Sequence, residues 1–129
     1  MLHNLGSKSN IQALFANDSR TASANGTGFD TQGSNDVEGE AIFILASDAA
    51  SAGSSPTLDV KLQESDDNSS FSDISGATFT QVTDAASTQK ISINTNDYGR
   101  YLRAVGTIGG TSSPAFTYAV VMVYSKKYD

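Results

Sequence analysis

From Thr57 to Glu64 apolar and polar side chains alternate strictly, Leu58, Val60 and Leu62 against Asp59, Lys61 and Gln63. A period of two places the first set on one face of a β-strand and the second on the other, one face buried and one wet. Pro56 marks the start of this strand. Ser65-Asp66-Asp67-Asn68-Ser69-Ser70 marks its end, a polar turn whose Asp and Asn side chains can bond their own backbone. Phe71 and Ile74 predict a short strand, followed by Gly76 and a less regular piece over 79–83 with Phe79 and Val82. Ile91 and Ile93 begin another. Tyr101 to Ile108 predicts a strand with Leu102, Ala104 and Ile108 on one side and Tyr101, Arg103, Val105 and Thr107 on the other. The run Gly109-Gly110-Thr111-Ser112-Ser113-Pro114 then predicts a turn, and Ala115 to Tyr124 a returning strand in an antiparallel hairpin.

The centre of that last strand, Ala119 to Tyr124, is apolar on both faces. A strand has this pattern when it is covered from two sides, by its own core and by a neighbouring subunit, although a single domain can also supply both covers. Tyr118, Val121, Val123 and Tyr124, with Lys126 and Lys127 just beyond, are therefore the candidate interface residues. The plain alternative for the lysines is a solvated tail, and for the tyrosines half-buried places in the sheet.

Earlier in the chain Ile11, Leu14 and Phe15 predict a first strand, Asn25-Gly26 a turn, and Phe29 a short strand. The run Ile42-Phe43-Ile44-Leu45 predicts a central strand in preference to a fragment of helix, and 46–55 a flexible loop. Met1 to Asn10 reads as a mobile N-terminal arm, either disordered or laid across a neighbour. No apolar period of the helical kind is long enough to trust. The expectation is an all-β chain of about eight strands, an antiparallel two-sheet β-sandwich with a jelly-roll-like course, forming one domain over 11–129.

Composition supports that class. The 129 residues include 19 Ser, 12 Thr and 11 Gly, which suits strands with a solvated hydroxyl face and tight turns better than helices. A net charge of -6 argues against nucleic acid as a partner, because affinity for phosphate comes mostly from clustered Lys and Arg. The charge is uneven: Asp30, Asp36, Glu38, Glu40, Asp48, Asp59, Glu64, Asp66, Asp67 and Asp73 oppose Lys61 alone. Over 90–127, Lys90, Arg100, Arg103, Lys126 and Lys127 oppose Asp97 alone. Solvated faces of unlike sign explain this; patches that orient docking are the sharper reading.

Candidate chemistry is thin. There is no cysteine, and the single histidine, His3, lies in the expected arm, so a nucleophilic triad or a zinc site has no parts to draw on. Asp66, Asp67 and Asn68 lack the loop spacing of a calcium-binding hand, and a turn explains them better. Gly106, Gly109 and Gly110 lack the Lys and the helix of a phosphate loop. No apolar run reaches the about 18 residues of a membrane helix. The expectation is a chain that is no enzyme, with no catalytic residue, no metal, no cofactor, no small-molecule substrate and no membrane partner.

The stretch LDVKLQESDDNSSFSDISGATFTQVT, followed by YGRYLRAVGTIGGTSSPAFTYAVVMVYSKK, resembles the small structural proteins of tailed bacteriophages encoded beside the major capsid protein. The preceding NGTGFDTQGS and its apolar strand are similar too, so the resemblance runs from about Ile11 onward. It implies a capsid decoration, or cement, protein with a jelly-roll-like β-fold, made in the host cytoplasm and placed on the outer surface of the virion. Its partners would be the major capsid protein and further copies of itself, as a dimer or trimer. A receptor- or carbohydrate-binding module of a phage tail or surface appendage is the alternative.

Overall fold

The computed structural model describes residues 9–33 and 36–126. Eight strands form one antiparallel sheet: β1 (Ser9–Arg20), β2 (Ala24–Asn25), β3 (Phe29–Asp30), β4 (Glu40–Ser47), β5 (Ala52–Ser65), β6 (Ser72–Thr78), β7 (Ser87–Asn94) and β8 (Tyr101–Ser125). A 3-10 turn, Thr95–Asp97, precedes β8; its start is capped by the Asn94 side chain, which accepts from the Asn96 N–H. Of the expected arm, residues 1–8 lie outside the described residues, while Ser9 and Asn10 belong to β1, opposite Ser125 and Tyr124.

The long strand β8 organises everything else. Along one side it pairs with β4 through Tyr118 to Val123 and then with β5 through Tyr101 to Ala115. Along the other it pairs with β1 through Phe116 to Ser125 and with β2 and β3 through Tyr101 to Gly106. The hairpin expected over 101–124 is therefore not formed: both segments lie in one continuous 25-residue strand. The reason is hydrogen-bonding capacity. Each edge of β8 is already taken, so neither half has donors and acceptors left to pair with the other. The residues read as a hairpin turn instead make a corner, with φ of 113° at Gly110, 61° at Ser112 and 55° at Ser113.

β5 turns the same corner beside it. Gly53 has φ of 105°, and a Cβ there would stand 2.6 Å from Pro114 Cα, so only glycine lets the two backbones approach this closely. The expected 46–55 loop shrinks accordingly to 48–51, tied to β8 by Asp48 N–H to Thr117 O (3.0 Å) and Ser51 N–H to Ala115 O (2.9 Å). Strands that bend through glycines and bulges can carry a sheet round onto itself. The sheet becomes nearly barrel-shaped, and its two halves face each other across one core.

That core is built by the alternation visible in the sequence. Leu58, Val60 and Leu62 of β5 are fully buried, as are Leu102 and Ala104 of the first half of β8. Phe43, Leu45, Phe116, Tyr118, Val120 and Met122 face them from the other half. Phe29 and Tyr124 touch at 5.2 Å between ring centroids, tying the edge strand β3 to the far end of β8. Two smaller expectations also change. Asn25-Gly26 is not a free turn but pairs alongside β8, with Gly26 N–H donating to Ala104 O (2.7 Å). The piece 79–83 makes only a single bridge, Val82 to Leu58, and not a full strand.

Candidate functional site

In the second half of β8 the buried residues alternate with Thr117, Ala119, Val121 and Val123, which point away from the core and are half-buried. Their lateral neighbours have the same character. Ile42, Val123 and Ile11 stand side by side across β4, β8 and β1, and Ile44, Val121 and Ala13 form the next row. Ala46 and Ala119 form a third. Ile11, at 72% exposed, is the most exposed large apolar side chain among the described residues. Charge appears only at the rim, as Lys90 of β7 beside Ile44 and Glu40 one row beyond Ile42. Scattered surface apolar groups need no explanation; three adjoining rows of them do.

The outer face of the other half is built differently. Arg103 lies 4.0 Å over the Phe71 ring and donates from Nε to Gln63 Oε1 (2.9 Å). Gln63 donates to Asp73 (2.8 Å), which also pairs with Lys61 at 3.0 Å. Gln63 first, and Lys61 second, hold the Asp73 carboxyl below its ordinary range. Gln81 donates to both carboxylate oxygens of Asp59 at 3.1 Å. This face satisfies its own polar groups, so the two outer faces of one small chain differ sharply.

The unlike charges of the two chain segments meet within the molecule. Arg100 grips Asp30 in a two-pronged contact, Nε to Oδ1 and Nη2 to Oδ2, both at 2.8 Å. The guanidinium lowers the Asp30 carboxyl, and the carboxylate raises Arg100 in return. In the turn after β5, Asp67 accepts from Ser69 and Ser70 N–H (2.9 Å each) and from Ser65 Oγ (2.9 Å). Those donors, Ser70 N–H foremost, hold its carboxyl below the ordinary range.

The interface candidates separate by face. Val121 and Val123 lie on the apolar outer face. Tyr118 and Tyr124 are turned into the core: Tyr118 is fully buried between the Phe15 ring, 5.4 Å away, and the Arg20 guanidinium, 4.7 Å from its own ring. Burial raises both phenols above their ordinary range. Lys126 is half-buried and bridges to Val37 through its backbone, and Lys127 lies outside the described residues. Sequence reasoning missed Ile11, Ile42 and Ile44 as members of this face. The signal for the two on β4 was present: Ile42 to Leu45 is as doubly apolar as Ala119 to Tyr124.

A second feature is a polar cleft of about 500 Å³ lined by Thr31, Gln32, Asp36, Thr95, Asn96 and Tyr98, among others. Among the described residues no group of three or more His, Cys, Asp or Glu is placed to hold a metal ion, and no helix is long and apolar enough to cross a membrane. No protein-family model matches the chain, and no curated protein matches it in sequence.

Proposed function

We propose that this chain is a structural binding protein of a virion, a decoration protein that stabilises a tailed-phage capsid by bridging major capsid protein subunits without covalent bonds. The observation that carries the reading is the apolar outer face of β1, β8 and β4 beside a self-satisfied polar face on the other half. A chain that leaves one face apolar and closes the other with its own side chains is suited to being held on a surface by one side. The resemblance of its strands and turns to small tailed-phage structural proteins supports a capsid as that surface. A jelly-roll-like two-sheet sandwich belongs to the same proposal; the facing halves of the sheet, joined through Phe29 and Tyr124, support it.

Magnitude favours many weak contacts. Strands lie about 4.8 Å apart and outward residues about 6.8 Å apart, so the eight positions of the three rows cover roughly 260 Å². A standard stable interface buries about 800 Å² on each partner. The face is too small for tight one-to-one binding, and repetition over a symmetric shell supplies the missing strength. Mixing the purified protein with expanded, undecorated heads tests this: saturable binding and greater thermal resistance of the heads are expected, and neither appearing would refute it.

The cleft favours one other reading. Its amides and hydroxyls beside Tyr98 are the groups that hold a sugar ring, so a carbohydrate-binding module of a tail or appendage is the alternative. Glycan binding abolished by Asn96→Ala or Tyr98→Ala would favour it.

A further inference from the structure

The dipeptide Asn25-Gly26 lies along β8, with Ala24 opposite Gly106 and Asn25 opposite Val105. Glycine is obligatory at residue 26 because there is no space for anything larger. A Cβ there would stand 3.0 Å from both Leu14 O and Ala104 O, so the backbone is held between β1 and β8 with no room for a side chain. The Gly26 N–H donates to Ala104 O at 2.7 Å.

Nothing comparable requires asparagine at residue 25. Its side chain is exposed and makes no hydrogen bond among the described residues, and its backbone is not in the left-handed region that favours asparagine. The fold thus sets the least hindered of successors beside an idle side-chain amide. Asn25 is also the only asparagine of the sequence followed by glycine. In such a pair the side-chain carbonyl carbon is open to attack by the next backbone nitrogen, which glycine leaves unshielded.

We infer that Asn25 is a site of spontaneous covalent modification, converted to aspartate and isoaspartate through its Gly26 neighbour at a rate set by the opening of β2. The Gly26 nitrogen gives up its proton and bonds to Asn25 Cγ; the Cγ–Nδ2 bond breaks, and the amide nitrogen leaves as ammonia with that proton. Water then opens the resulting ring. Cleavage at Cγ gives aspartate, and cleavage at the Asn25 backbone carbonyl gives isoaspartate, whose main chain is one carbon longer. Nothing is oxidised or reduced, and water is the only co-reactant.

The first step needs the proton that Gly26 donates to Ala104 O, so the paired chain is protected. Protection ends when β2 lifts from β8, and little holds it there: two paired residues and Ser23 Oγ, which accepts from Ile108 N–H at 3.0 Å. Short segments of this kind open locally at far less cost than global unfolding. Asn68, followed by Ser69, is better guarded, since Asp67 Oδ1 accepts from Ser69 N–H at 2.9 Å within a turn it also ties to Ser65 and Ser70. Conversion at Asn25 adds a negative charge to a chain of net charge -6. The longer main chain of isoaspartate does not fit the register that Gly26 keeps between Leu14 and Ala104, so that form of β2 stays off β8. The inference is independent of the capsid reading.

The full chain, incubated in mildly alkaline buffer, is to be followed by peptide mapping that separates asparagine, aspartate and isoaspartate. Conversion is expected at Asn25 ahead of every other asparagine, and at least about tenfold more slowly in the folded chain than in urea, because opening must precede attack. Ser23→Ala is expected to raise amide exchange at Gly26 and conversion at Asn25 by the same factor. Asn25→Gln should abolish conversion and leave that exchange as it was. Equal rates with and without urea, faster conversion at Asn68, or a rate that Ser23→Ala leaves untouched would each overturn the inference. The purified isoaspartate form is expected to exchange its Gly26 amide freely; retained protection there would overturn the release of β2.

Discussion

The side-chain amide of Gln89 in β7 behaves as a piece of backbone: Oε1 accepts from Thr80 N–H at 2.7 Å and Nε2 donates to Thr80 O at 2.8 Å. Thr80 lies between Phe79, bonded to Val60 O, and Val82, bridged to Leu58, so this pair links the β5 side of the sheet to β7. The two halves are stitched where no strand pairing joins them. Replacing Gln89 by Ala should cost about 1–2 kcal/mol for two hydrogen bonds at an exposed site. Hydrogen exchange should quicken at Thr80 while the β8 amides keep their protection; unchanged exchange at Thr80 would show that the link holds nothing.

Gly106 and Tyr118, twelve positions apart on the same strand, meet across the core because β8 turns its corner between them. A Cβ at residue 106 would collide with Tyr118 Oη and stand 3.1 Å from its Cζ. Gly106→Ala should therefore destabilise by about 1–3 kcal/mol through overpacking. Among the described residues Tyr118 Oη has no hydrogen-bond partner. Tyr118→Phe should be neutral or stabilising, and should rescue most of the Gly106→Ala loss. Denaturant titration of the double-mutant cycle decides the point, and additive effects would count against the contact.

Val120 and Val121 are adjacent, but one is fully buried and the other half-exposed on the apolar outer face. Val120→Asp should leave no folded protein, because an unpaired carboxylate in the core costs several kcal/mol. Val121→Asp and Val123→Asp should fold, with melting temperatures lowered by only a few degrees, and should lose binding to whatever covers that face. Equal damage from Val120→Asp and Val121→Asp would mean that both sides of the strand are covered within the monomer.

Asp30, Asp67 and Asp73 all have carboxyls held below the ordinary value of 3.8. Their folded forms resist protonation, so the unfolded chain binds more protons as pH falls toward that value. Stability contributed by these groups is fully present above about pH 5 and disappears as pH drops through the lowered values. Melting temperature should be flat from pH 7 to 5 and fall steeply below 4, and Asp30→Asn should flatten part of that fall. The buried phenols of Tyr118 and Tyr124 act at the other end. Both are raised above 10.0, so they favour folding below that pH and cease to as pH rises through their folded values.

Much of the strand content was legible because a period of two is a local property. Thr57 to Glu64 and Tyr101 to Ile108 read as strands with the faces they prove to have, except Ile108, which is only half-buried. The polar run after Glu64 reads as the turn that Asp67 ties together. The course of the chain through 109–114 was not legible. Two glycines, two serines and a proline suit a tight turn and a strand corner equally, and the choice depends on whether neighbours occupy the edges of β8. Those neighbours, β5 and β1, lie some 50 to 100 residues away in sequence.

The same division holds for the candidate site. By itself the sequence determined that Ala119 to Tyr124 and Ile42 to Leu45 are apolar on both faces, since that needs only the order of residues. It also determined which chemistry the chain lacks the cysteine and clustered histidine to perform. Only the tertiary structure decided that Tyr118 and Tyr124 face inward, that the outward halves of β4 and β8 adjoin, and that Ile11 completes the row. The reason is register: pairing between distant strands selects which member of each apolar pair is covered, and a shift of one residue would exchange them all.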